Sequence, residues 1–303
     1  MKDVIIIGGG PAGTVAGIYG ARKNLDTLLL TKDFIGQLGN AGKIENWPGE
    51  IEITGPELIS NFREHVESYD IDIKEEKVGE VLKKEDGFLI KSEEKEYRSK
   101  AVIIATGRNP RPLKIPGEKE FVGKGVSYCV TCDGALFRDK SVVVVGGGNS
   151  GLEGALELSE YVKDVTILEI QDELPGDEFL KERVEGRDNI EVLTKVKPKK
   201  IEGDDFVNAI KYSDLDSGEV DDLKTEGVFV QVGSIPTTDL LDDLVEYNDR
   251  GEIKIDPQTC KTDTEGLFAA GDVTSVRDKQ VVVATGEGCK ALLSAYNYIK
   301  NNH

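Results

Sequence analysis

The most specific chemistry in this chain lies in Cys129-Val130-Thr131-Cys132-Asp133-Gly134. Two thiols at this spacing can close into a disulfide with little backbone movement and open to give a reactive thiolate. Asp133, beside the second thiol, offers a carboxyl able to protonate a leaving thiolate or base, a task with few other candidates because the only histidines are His65 and His303. Two glycine loops stand on either side of the pair. Gly8-Gly9-Gly10-Pro11-Ala12-Gly13 has G-x-G-x-x-G spacing between an apolar strand and a helix, so backbone amides and the helix dipole can face a pyrophosphate. Gly146-Gly147-Gly148-Asn149-Ser150-Gly151 repeats the arrangement, and two dinucleotides are therefore expected. Glu169, ending the strand Val165-Thr166-Ile167-Leu168, stands where a carboxylate binds the ribose 2′-OH of NAD and repels a 2′-phosphate, which favours NADH over NADPH. The alternative is one more surface acid beside Asp172 and Glu173. In the first unit the matching stretch, Thr31-Lys32-Asp33, has no acid directly at the strand end.

Positioning these groups takes the same βαβ start used twice. The first is a strand at Val4 to Ile7, a helix through Arg22 and a strand at Thr27 to Leu30; the second is a strand at Ser141 to Val145 and a helix from Ser150 to about Val162. Thr54 and Glu57 form a capping box that starts a helix toward Ser68. The Lys/Glu-rich stretch from Asp72 to Tyr97 reads as a small surface meander, and Ala101 to Ala105 as a separate buried strand. Gly266 to Ala270 reads as a strand entering a turn, and Ala284 to Lys300 as a final helix. The fold class is α/β, with two Rossmann-like dinucleotide-binding domains, the second inserted in the first. A chain of 303 residues has room for both cores.

A formal charge of −19 argues against nucleic acid and anionic membranes as partners, because phosphate affinity comes mostly from Lys and Arg. The opening apolar run is too short for a signal peptide, and a cytoplasmic location follows as the default. Cys260 and Cys289 are isolated and read as small buried hydrophobes. No metal site is expected, since neither paired histidines nor a second C-x-x-C is present, and His65 reads as a helix-surface residue.

The sequence resembles the low-molecular-weight thioredoxin reductases and the similar flavin-binding portion of the alkyl hydroperoxide reductase flavoprotein. The resemblance covers nearly the whole chain. It is carried by the two glycine loops and the C-x-x-C, with Gly36-Gln37, Glu45-Asn46-Trp47-Pro48-Gly49, Ala105-Thr106-Gly107, Gly266 to Asp272 and Lys279-Gln280-Val281. It implies an FAD domain of residues 1–112 and 246–303, an inserted NAD(P) domain of 113–245 carrying the cysteines, a homodimer, and a domain rotation. FAD would be held by Gly8, Gly10, Pro11, Ala12, Gly13, Gly36, Gln37, Asn46, Ala105, Thr106, Gly107, Gly271, Asp272, Lys279, Gln280 and Val281. The nicotinamide dinucleotide would be held by Gly146, Gly148, Asn149, Ser150, Gly151 and Glu169. The resemblance further assigns Cys132 to face the flavin, Cys129 to attack the partner disulfide, and Asp133 to act as the acid.

Two departures from the resemblance matter. Reductases specific for NADPH carry a His-Arg-Arg stretch where Glu169-Ile170-Gln171 stands here, which again points to NADH. The hydroperoxide reductase flavoprotein has an N-terminal thioredoxin-like extension, whereas this chain opens on the FAD strand, so a separate thioredoxin- or glutaredoxin-like protein is expected to receive the electrons. Rival readings are a ferredoxin-linked or nicotinamide-independent flavin thioredoxin reductase, a dithiol oxidase, and a non-enzymatic nucleotide-binding redox sensor. Intact Gly146, Gly148 and Gly151 weigh against a vestigial nicotinamide site.

Overall fold

A computed structural model describes residues 1–41 and 43–302, so His303 lies outside the described residues. The chain forms two compact units, Met1–Asn109 with Ile235–His303, and Pro110–Ser234 inserted between those segments. Six helices are used below: α1 (Pro11–Arg22), α2 (Gly55–Glu67), α3 (Val130–Asp133), α4 (Asn149–Ser159), α5 (Glu178–Glu185) and α6 (Val281–Asn302).

In the first unit, strands Asp72–Glu75, Thr27–Thr31, Lys2–Ile7 and Glu96–Ile104 lie side by side in that order, all parallel, and Leu267–Ala269 joins the far edge in parallel. The unbroken apolar run Val4–Ile7 suits a strand covered on both faces. Val4 and Ile6 pack with Ala16 of α1, Leu58 of α2 and Ala291 of α6, while Ile5 and Ile7 face Val81, Phe88 and Leu241 on the other side. Full burial of each such side chain stabilises by about 1.5–3 kcal/mol.

The stretch 72–97 is not a surface appendage. Asp72–Glu75 is an edge strand of the main sheet, Val78–Lys84 and Gly87–Ser92 extend it antiparallel, and Glu96–Ile104 runs without a break from exposed charge into the core. Val81, Phe88 and Ile90 supply the buried face, masked in the sequence by charged residues on the opposite face.

The inserted unit repeats the plan. Val126–Ser127, Gly227–Val230, Ser141–Val145, Asp164–Leu168 and Ile190–Leu193 form a five-stranded parallel sheet. Val142 and Val144 face α4 and α5 through Leu152, Ala155 and Leu180; Val143 and Val145 face Ile201 and Ile210 of an antiparallel three-stranded sheet, Val196–Gly203, Val207–Asp214 and Val220–Lys224.

The return to the first unit falls at Ser234/Ile235, earlier than the expected boundary after Val245. Leu240, Leu241 and Val245 are buried with Ile90 and Val102 of the first unit, and that apolar contact sets the division. Among the described residues, no helix is long and apolar enough to cross a membrane.

Candidate redox and nucleotide sites

Both glycine loops have the same backbone frame. Gly8 (φ 121°) and Gly146 (φ 110°) leave their strands in a conformation that L side chains rarely adopt. A β-carbon on Gly8 would lie 2.1 Å from the Ala105 carbonyl oxygen, and one on Gly146 2.4 Å from that of Gln231. Gly13 and Gly151 let each helix close onto its own loop, since added β-carbons would meet the Gly8 and Gly146 carbonyl oxygens at 1.8 and 1.9 Å. Gly10 and Gly148, in contrast, face open space, with nothing within 4 Å of an added β-carbon.

The helices that start there are left uncapped. Neither α1 nor α4 has a side-chain N-cap bond or an acid in its first turn, whereas α2 closes its own start with the Thr54–Glu57 capping box. Free first-turn amides beside an open glycine suit a phosphate. On this observation the two loops fit a dinucleotide pyrophosphate.

Beside the second loop, at the end of the neighbouring strand, Glu169 is 4% exposed, so it is not one more surface acid. Its carboxylate accepts from the Gly147 amide at 2.6 Å and the Gln171 amide at 2.9 Å. The Asn149 side chain is engaged with Asp177, donating to Oδ2 and accepting from the Asp177 amide, each at 2.8 Å. Ser150 is exposed beside it.

The first unit brings together residues far apart in sequence. Asn46 Nδ2 donates to Gln280 Oε1 at 3.1 Å, just before α6 begins at Val281. Gln37 Nε2 donates to the Arg108 carbonyl at 3.1 Å, and Gly36 donates to Asp33 Oδ1 at 3.1 Å. Thr106 Oγ1 donates to the Thr237 carbonyl at 2.7 Å, and the Gly107 carbonyl accepts from Thr237 N at 3.0 Å. Pro11 and Ala12 open α1, and a β-carbon on Gly271 would come within 3.1 Å of Ala12 Cβ. Burial pushes the Asp272 carboxyl up, against the opposing pull of Lys279 and Arg108.

Sequence reasoning missed the supports of this site. Glu287, on the second turn of α6 and 5% exposed, accepts from Gly271 N at 2.7 Å and Thr274 Oγ1 at 3.3 Å; burial pushes its carboxyl up, partly offset by those bonds. Glu252 pairs with Arg108 at 2.8 Å and Lys279 at 3.3 Å. Nothing in local sequence pattern singles these residues out.

Cys129 and Cys132 form a disulfide, with Cα atoms 5.3 Å apart. Cys129 is the N-cap of the short α3, where its Sγ accepts from Cys132 N at 3.1 Å; Cys132 is exposed and Cys129 half-buried. Asp133 is held by Ser127, whose Oγ lies 2.6 Å from Oδ2 and also accepts from Cys129 N at 3.0 Å. Ser127 therefore ties the acid to the first cysteine, a link the sequence did not announce. On the opposite side, Val130 packs onto the bare face of Gly154, and Thr131 Oγ1 donates to Glu157 at 3.3 Å. No group of three or more candidate metal ligands occurs among the described residues. Cys260 is fully buried and Cys289 only half-buried.

The pyridine nucleotide-disulphide oxidoreductase family matches residues 2–288. The chain is 43% identical over 301 residues to a Ferdinandcohnia aciditolerans protein named NADH dehydrogenase, and 42% identical over 309 residues to a subunit of the Staphylococcus aureus alkyl hydroperoxide reductase. Each match takes in 99% of this chain, which spans 58% and 59% of the length of those relatives. Among solved structures, Lactococcus lactis thioredoxin reductase superposes with a TM-score of 0.95 at 37% identity, covering 99% of this chain and all of that one. The T. acidophilum thioredoxin reductase gives 0.92 at 40% identity, covering 98% of each chain. The chain belongs to the pyridine nucleotide-disulphide oxidoreductases, a family that works with FAD and a nicotinamide, as a thioredoxin-reductase-like flavoprotein with Cys129 and Cys132 as its disulfide pair.

Proposed function

We propose that this protein passes electrons from NADH, through FAD held by the first unit, to the Cys129–Cys132 disulfide and on to a thioredoxin- or glutaredoxin-like protein. The observation that carries the reading is a disulfide-bonded cysteine pair, with a tethered carboxyl, in a chain that has two open glycine loops. The preference for NADH rests on Glu169, fixed at the end of its strand by the Gly147 amide, where its charge would repel a 2′-phosphate. The relative named NADH dehydrogenase favours the same choice.

When bound, FAD supplies two-electron transfer between nicotinamide and disulfide. The chain's own residues do the rest. Two electrons and two protons break the Cys129–Cys132 bond and leave two thiols, with Asp133, held by Ser127, as the proposed donor of a proton to the departing sulfur. Cys129, as thiolate, then attacks the partner's disulfide to form a mixed disulfide, and Cys132 displaces the partner as a dithiol, restoring the internal bond. The assignment of Cys132 to the flavin side and the homodimer are carried over from the family resemblance.

The test is Cys132→Ser, purified as the yellow protein and titrated anaerobically with NADH and, separately, NADPH. NADH should bleach the flavin absorbance at far lower concentration than NADPH, and reduction of a thioredoxin-like disulfide should be lost. Turnover of the partner by this variant would sink the role of the pair. Bleaching by dithionite but by neither nicotinamide would leave a ferredoxin-linked reductase or a dithiol oxidase as the reading.

A further inference from the structure

Three charged side chains from distant parts of the first unit meet beneath the Gly271–Asp272 turn. Arg108 Nη1 lies 2.8 Å from Glu252 Oε1 and 3.4 Å from the Asp272 carbonyl oxygen, and Lys279 Nζ lies 3.3 Å from the same Glu252 oxygen. Asn248 Nδ2 donates to the other Glu252 oxygen at 2.7 Å. The Arg108 and Glu252 side chains are only 11% and 6% exposed. Buried ion pairs of this kind are poor sources of net stability, because desolvation offsets most of the attraction. Their location then asks for a reason.

Arg108 and Glu252 touch residues assigned to the flavin, and Lys279 is itself one of them. The Arg108 carbonyl accepts from Gln37, its guanidinium reaches Asp272, and Lys279 stands two residues before the start of α6. Burial acts to raise the Glu252 carboxyl, but the bonds from Asn248, Lys279 and Arg108 outweigh it and hold the group below the usual carboxylate range, so Glu252 stays ionised. The cluster thus sets the Arg108 and Lys279 side chains against the single carboxylate of Glu252. Asp272 and Glu287, both pushed up by burial, are titratable carboxyls beside it.

We propose that Arg108 is a positioning residue which, balanced against Glu252, sets the reduction potential of the flavin by fixing the charge under the Asp272 turn. The inference rests on the first unit holding FAD as read above. Reduction adds negative charge to a flavin, so loss of a nearby cation lowers its potential and loss of a nearby anion raises it. Arg108 and Glu252 are bonded to each other, so a purely structural role would move both variants the same way. An electrostatic role moves them in opposite directions.

The experiment compares the FAD-loaded wild type with Arg108→Gln, Glu252→Gln, Arg108→Lys and the double Arg108→Gln/Glu252→Gln protein. The readouts are bound FAD per chain and the flavin midpoint potential against a reference dye. At a fixed dye potential, the ratio of reduced to oxidised flavin should fall about tenfold in Arg108→Gln, a shift of about 30 mV for a two-electron couple. It should rise in Glu252→Gln and return toward the wild-type value in the double variant. Arg108→Lys, which keeps the charge and loses the planar fork, should stay near wild type in potential even if it binds FAD less well. Equal shifts of the same sign in both single variants, or no shift with FAD retained, overturn the inference while leaving the function standing. Wild-type protein that takes up no FAD overturns the reading of the first unit itself.

Discussion

The two glycine loops are nearly the same object built twice, and they differ in the residue that follows the neighbouring strand. In each, the first glycine amide donates to the end of the neighbouring strand, Gly8 to Leu30 at 2.8 Å and Gly146 to Leu168 at 2.9 Å, and the helix closes onto the loop at Gly13 or Gly151. The next residue on that strand is Thr31 in one unit and Glu169 in the other. Thr31 turns its hydroxyl back onto the Asp33 carbonyl at 2.5 Å, while Glu169 extends a buried carboxylate to the Gly147 amide. On the proposed reading the frame would meet a pyrophosphate through backbone alone, and so could serve two cofactors. On the same proposal, the residue after the second strand would then choose between riboses.

The comparison breaks most visibly at the closing glycines. A valine at either position collides with a carbonyl oxygen that cannot swing away, at a stability cost of roughly 1–3 kcal/mol and with the phosphate cradle distorted. Gly151→Val should purify yellow, be bleached by dithionite and fail to respond to NADH; Gly13→Val should purify without flavin. Absorbance spectra of the two proteins settle it, and the opposite pattern would exchange the cofactor assignments of the units.

Glu169→Gln is the next step down. It keeps an acceptor for the Gly147 amide but removes the charge, so the frame should survive. A charge-assisted hydrogen bond contributes about 1.5–3 kcal/mol, which corresponds to a ten- to hundredfold fall in the ratio of kcat/KM for NADH over NADPH. An unchanged ratio would place the selection elsewhere than the strand end.

What could be read from the sequence follows from how local each feature is. The glycine loops, the C-x-x-C and the capping box at Thr54 are dictated by backbone geometry within a few residues, so spacing alone reveals them. Ser127, Arg108 and Glu287 act through partners that only the folded chain brings near, and their residue types carry no periodic signal. The sheet edge at 72–97 was obscured for a related reason: its outward face is charged, and the charges hid the alternation of Val81, Phe88 and Ile90 beneath. The boundary at Ser234 was missed because Leu240 and Leu241 follow the inserted unit in sequence but pack with the first.

The smallest effect separates the supports of the two units rather than their loops. The first unit has no acid at its strand end, yet it buries Glu287 against the Gly271 amide. Burial raises this carboxyl above its unfolded value, against the weaker opposing pull of the Gly271 amide, Thr274, Lys279 and Lys290. The folded chain therefore binds the proton more tightly than the unfolded one, and the group's contribution is full below the ordinary carboxylate range and fades as pH rises through the raised value. Glu287→Gln is neutral throughout and keeps an acceptor for the Gly271 amide. Its thermal midpoint should match wild type in acid and fall less as pH climbs toward neutrality. For a domain of this size, each 1 kcal/mol is worth about 2–4 °C. A slope as steep as that of wild type would shift the pH dependence to Asp272, the other carboxyl that burial raises at this turn.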